Sequence, residues 1–128
     1  MDSLQASRIT GGNSAIGRRE ADFYPTPPEV TVALLDFLRL PENTVIWEPA
    51  AGEGDMAGVL QTYFETVYTT DILDGTDFLK SSIDAADWII TNPPFSLAEE
   101  FIRKAASLGK PFAFLVKSQF WHAKRRLS

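Results

Sequence analysis

A chain of 128 residues, 45% of them hydrophobic and 23% charged, has the length and composition of one ordinary globular domain. It contains no cysteine, which excludes a disulfide framework, a thiolate metal site and any covalent mechanism through sulfur. No apolar run approaches the roughly 20 residues of a membrane span. Net charge is −5 but unevenly spread: residues 20–100 hold 16 acids against only Arg39 and Lys80, whereas residues 101–128 hold seven basic residues and no acid. Segregation of this kind can leave a basic stripe for a phosphate backbone, or simply a solvated helix end. "MDSLQASRITGG" has no apolar core resembling a signal peptide, so the expected location is cytoplasmic.

Residues 1–19 show no sustained period and carry Gly11, Gly12 and Gly17 among Ser and Asn, the pattern of a flexible arm preceding a domain over residues 20–128. In "FYPTPPEVTVALLDFLRL", Thr26 and Glu29 have capping-box spacing and Pro27 suits a first turn. Val30, Ala33, Leu34, Phe37 and Leu38 recur at three and four, predicting an amphipathic helix over about residues 27–39. A short strand follows over Thr44 to Trp47, then the turn "EPAAGEGD" opening a helix through Met56, Val59, Leu60 and Phe64. "TVYTTD" reads as a second strand ending at Asp71, "DGTDFL" as a loop with a short helix, and "ADWIITN" as a third strand. "SLAEEFIRKAASL" is a helix stopped by Gly109, and "PFAFLVK" a fourth strand.

Strands alternating with helices imply a parallel sheet with ligands at the carboxyl ends of its strands. Glu48, Asp71 and Asn92 each close a strand, which sets three hydrogen-bonding side chains along one rim. Gly52 and Gly54 permit backbone conformations and close approaches that a Cβ would forbid, and the helix start beyond them presents free amides; a tight turn uses glycine in the same way without any ligand. Asp71, about twenty residues after the glycines, suits an acid accepting from both hydroxyls of a ribose, or a cap of the turn that follows it.

In "TNPPF" two prolines stiffen a loop directly after a buried strand, where they cannot extend the hydrogen-bonded ladder. The Asn92 side-chain oxygen and the Pro93 carbonyl could together accept both protons of an amino group, turning its lone pair toward an electrophile, while Phe95 offers a face for a planar acceptor. A proline-terminated strand followed by a core Phe is the plainer alternative.

These motifs in this order resemble the S-adenosylmethionine-dependent amino methyltransferases, and most closely those acting on the N6 amino group of adenine in DNA; the similarity spreads over residues 23 to about 121. It implies an α/β, Rossmann-like fold with a mostly parallel sheet and helices on both faces. It implies S-adenosylmethionine contacts from Tyr24, Thr26 and Pro27, from Glu48, Ala50, Gly52 and Gly54, from Asp71 on the ribose, and from Asp77 and Phe78 on the adenine. Asn92, Pro93, Pro94 and Phe95 correspond to the catalytic tetrad, which transfers the methyl group directly, without a covalent enzyme intermediate. Lys117, His122, Lys124, Arg125 and Arg126 would meet DNA, with Phe120 or Trp121 as further stacking surfaces; His122 fits a phosphate contact better than a general base. Similar tetrads serve enzymes that methylate RNA bases or a protein glutamine amide, and a non-catalytic cofactor-binding or DNA-binding module would keep the same scaffold.

The family's sheet usually has seven strands, and this sequence stops just past the one corresponding to the fifth. The resemblance therefore leads to the expectation of a sheet lacking its last strands, with an open edge available to a second copy or a partner subunit.

Overall fold

Proline sets the first helix boundary. The computed structural model describes residues 25–52 and 54–116 and places Pro27 at the N-cap of helix α1 (Pro28–Leu38), with Pro28 in the first turn. Neither residue has an amide proton to leave unsatisfied there. The expected capping box does not form: the N-cap is Pro27, no side chain caps the helix, and the Thr26 hydroxyl is engaged elsewhere. Arg39 closes α1 in the left-handed region at φ 53°, with its amide donating to the Leu35 carbonyl. The arm over residues 1–19, Tyr24, Glu53, Lys117, Phe120, Trp121, His122, Lys124, Arg125 and Arg126 lie outside the described residues.

The remaining elements follow the expected order. They are β1 (Val45–Glu48), α2 (Asp55–Tyr63), β2 (Thr66–Thr69), β3 (Trp88–Thr91), α3 (Ala98–Ser107) and β4 (Phe112–Phe114). Between β2 and β3 the described chain makes only two short 3-10 turns, Ile72–Asp74 and Phe78–Lys80. The strands form one sheet in the order β2-β1-β3-β4, and every pairing is parallel, with Val45 opposite Thr66, Trp47 opposite Ile89 and Thr91 opposite Phe114. This is an α/β architecture. The sheet's outer strands among the described residues are β2 and β4.

Because successive side chains of a strand point to opposite faces, β1 and β3 each feed two apolar layers. Ile46 and Ile90 pack with Leu35 of α1 and with Met56, Leu60 and Phe64 of α2 and its end. Trp47 and Ile89 pack on the other face with Phe78, Ala86, and Phe101 and Ala105 of α3. Phe78 is the aromatic hub of that second layer, its ring centroid 5.1 Å from Trp47 and 4.7 Å from Phe101.

The buried face of α1 differs from the expected one. Thr31 and Leu35 are its buried residues, whereas Phe37 is 82% exposed and Val30 also faces outward. Apolar residues encircle more of this helix than one layer can cover, and α1 turns the 31/34/35/38 stripe inward rather than the 30/33/34/37/38 stripe. The Thr31 hydroxyl, fully buried, has no hydrogen-bond partner among the described residues.

No helix among the described residues is long and apolar enough to cross a membrane.

Candidate functional site

All four strands run the same way, so the segments leaving β1, β2 and β3 share one rim. Glu48 is the last residue of β1, Asn92 follows β3 directly, and Asp71 comes two residues after β2, separated from it by Thr70. The predicted alignment of the three along one rim is present in the structure.

Glu48 is buried, at 1% exposure, and its Oε2 accepts from the turn after β1 and from the end of β3. The Ala50 amide donates to it at 3.2 Å, and the Thr91 hydroxyl donates to it from β3. Burial of a carboxylate is costly unless hydrogen bonds satisfy it, and here they join the glycine turn after β1 to the residue just before Asn92. The carboxylate is thus part of the scaffold beneath both loops.

The glycine turn continues that network. The Thr70 amide donates to the Glu48 carbonyl at 3.1 Å and the Ala51 amide to the Thr70 carbonyl at 3.0 Å, so the parallel ladder extends one step past β1 and β2. The Gly52 amide then donates to Asp71 Oδ2 at 2.7 Å, while Asp71 Oδ1 accepts from the Leu73 amide at 2.9 Å. Asp71 caps the following 3-10 turn and clamps the glycine turn with the same carboxylate. Gly52 and Gly54 take φ 57° and 91°. A Cβ built on Gly54 would meet nothing within 4 Å, so that glycine is required by its backbone conformation and not by the close approach the sequence allowed for.

Asn92 lies on a stiff loop. Pro93 is buried, and Pro94, extended at φ −55° and ψ 134°, caps a 3-10 turn over Phe95–Leu97 that runs directly into α3. The Pro94 carbonyl accepts from the Leu97 amide at 2.9 Å. Across the rim, the Asn92 Nδ2 donates to Thr26 Oγ1 at 2.9 Å. This bond joins residues 66 positions apart and explains why Thr26, itself buried at 7% exposure, leaves α1 uncapped.

A shallow, solvent-open depression lies against these loops, lined by Pro49, Ala50, Asp71, Ile72, Asp77, Phe78, Pro94, Leu97 and Phe101. Among the described residues its lining is mostly apolar, with two carboxylates and no basic side chain. Asp77 is held by accepting from the Leu79 amide at 3.0 Å through Oδ1. Phe78 is 2% exposed and gives most of its ring to the core.

No family model, curated protein or solved structure matches the chain.

Of the predicted site residues, Ala50, Asp71, Asp77, Phe78 and Pro94 meet in the pocket, while Thr26 and Asn92 meet each other. Glu48 is buried on the rim and outside the pocket lining, and Tyr24 and the five tail residues lie outside the described residues. Pro49, Ile72, Leu97 and Phe101 also line the pocket and were not anticipated. Ile72 is 51% exposed beside the rim acid Asp71, an exposure that the fold creates and the sequence did not signal. Phe101 gave no separate signal, because its spacing on α3 marks it as core.

Proposed function

We propose that this chain has a Rossmann-like methyltransferase fold, binds S-adenosylmethionine in the rim pocket and methylates the N6 amino group of adenine in DNA. The observation that carries the reading is the pocket's lining. Apolar walls with two acids and no base suit a flat ring bearing hydroxyl and amino donors. They suit a phosphate-bearing nucleotide less well, since its charge would face Asp71 and Asp77 with no compensating cation among the described lining residues. An adenosyl group on a sulfonium has the complementary character.

When bound, S-adenosylmethionine supplies an electrophilic methyl group. Asp71 and Asp77 would hold it by accepting from ribose hydroxyls and the adenine amino group, with Ile72, Leu97 and Pro94 flanking the ring. Asn92 would accept a hydrogen bond from the acceptor's amino group through its side-chain oxygen, withdrawing the nitrogen lone pair from conjugation with the base, and the proton that the nitrogen sheds on methylation would go to water. The prolines hold that side chain where it is needed, so little reorganisation accompanies the reaction. Phe95, half-buried beside them, offers its face to a base taken out of the duplex stack.

The test is transfer of labelled methyl from S-adenosylmethionine to unmethylated DNA, with cofactor binding followed by calorimetry. Asn92→Ala is expected to lower the transfer rate by about 100-fold or more while leaving the cofactor dissociation constant within about threefold. A wild-type chain that binds no S-adenosylmethionine, or that binds it and methylates no adenine, refutes the proposal.

A further inference from the structure

We infer that Thr26 is a positioning residue for Asn92, anchoring its carboxamide across the rim through the hydroxyl; the inference rests on the proposed role of Asn92 as the group that receives the amino acceptor. Several observations point the same way. Thr26 stands one residue before the N-cap with the spacing of a capping residue, yet it makes no cap. Its hydroxyl is buried and accepts instead from Asn92 Nδ2 at 2.9 Å. Its backbone is flanked by Pro25 and Pro27, which restrict its conformations, so the acceptor is delivered by a rigid segment.

The chemistry follows from the planarity of an amide. A carboxamide carries its oxygen and nitrogen on opposite arms of one plane and is nearly symmetric in shape, so packing alone does not distinguish the two ends. A hydroxyl can donate as well as accept, so Thr26 anchors the group in its place and plane, and the arm that meets it in the structure is Nδ2. With Nδ2 donating to Thr26, Oδ1 is turned to the other side, as an acceptor of amino protons requires. A flipped Asn92 would present N–H to N–H and repel the substrate. Thr26 thereby makes the start of α1 part of the acceptor site, acting through Asn92.

The test compares Thr26→Val, which keeps the shape and removes the acceptor, with Thr26→Ser, which keeps the hydroxyl. Single-turnover methyl transfer at saturating DNA and S-adenosylmethionine is expected to fall about 10- to 100-fold in the Val variant, with cofactor affinity within about threefold of wild type and with near wild-type rates restored by Ser. In the Asn92→Ala background, Thr26→Val should produce no further loss, because the group it positions is gone. The Asn92 side-chain amide resonances should also move in Thr26→Val and stay near their wild-type positions in Thr26→Ser. An unchanged transfer rate in Thr26→Val overturns the inference. So does a loss explained entirely by weaker cofactor binding, which would make Thr26 a cofactor contact, or a Ser variant as impaired as Val. If wild type transfers no methyl group, the enzymatic reading fails separately, and the amide resonances still decide the hydrogen bond: no movement in Thr26→Val overturns it.

Discussion

Asp71→Ala is the substitution that most directly separates the scaffold from the ligand site. The carboxylate is 3% exposed and accepts from the Gly52 amide at 2.7 Å and the Leu73 amide at 2.9 Å. Loss of the Leu73 bond is loss of a cap, worth about 1 kcal/mol. The shorter bond, from a backbone amide to an ionised carboxylate, is worth about 1.5–3 kcal/mol. Gly52 and Leu73 are both exposed residues, so water can recover part of what the amides lose, and the net expectation is a destabilisation of about 2–4 kcal/mol. Against a typical total of 5–15 kcal/mol this is severe, and for a domain of this size it corresponds to a fall in Tm of roughly 8–20 °C. Urea denaturation followed by circular dichroism measures it, with the midpoint shifting and the slope unchanged. A loss below about 0.5 kcal/mol would refute the assignment of Asp71 as the clamp between the glycine turn and the segment after β2. Any loss of cofactor binding in Asp71→Ala must therefore be measured at a temperature and denaturant concentration where the variant is still folded.

Two further stability predictions follow from α1. Leu35→Ala, which empties a buried position in the core layer shared with α2, should cost about 2–5 kcal/mol, whereas Phe37→Ala at 82% exposure should stay within about 0.5 kcal/mol of wild type; equal effects in urea melts would show that the helix turns a different face inward. Thr31→Val replaces a fully buried hydroxyl that lacks a partner among the described residues with a methyl of similar shape. It should raise stability by about 1 kcal/mol, and a loss in the same melt would mean that the hydroxyl has a partner.

The contrast between Leu35 and Phe37 illustrates where sequence reading succeeds and where it stops. Alternation of apolar strands with amphipathic helices located every regular element to within a few residues, because the periodicities of 2.0 and 3.6 are imposed by burial. The rim positions of Glu48, Asp71 and Asn92 followed from the same argument, since parallel strands share a carboxyl end. The orientation of α1 did not follow. With apolar residues at 30, 32, 33, 34, 35, 37 and 38, more than one stripe satisfies the helical period, and only the partner surfaces of α2 and β1 choose between them. Thr26 failed for a related reason. Its spacing to Glu29 is a local signal for a cap, but the competing partner, Asn92, lies 66 residues away and is invisible to any local rule. The pocket walls from Leu97 and Phe101 depend on how α3 docks, which periodicity leaves open.

The bonds that hold the rim together also decide how the site can respond to substitution. Glu48 joins Ala50 to Thr91, Asp71 joins Gly52 to Leu73, and Asn92 joins the loop after β3 to the start of α1. Each of the three polar residues thus ties its own loop to another segment, so none of the loops is positioned by its own backbone alone. Side chains in contact through such a network are not independent. Removing Asp71 would loosen the glycine turn, whose Ala50 is tied to Glu48, and Glu48 in turn bonds the residue preceding Asn92. Stability and site geometry are therefore coupled along the rim. A change in the pocket that leaves these three carboxyl and carboxamide groups untouched, such as Ile72→Ala at a residue 51% exposed, can instead alter ligand affinity with the fold intact. That makes the exposed apolar wall, rather than the acids, the place where binding can be varied without first losing the scaffold.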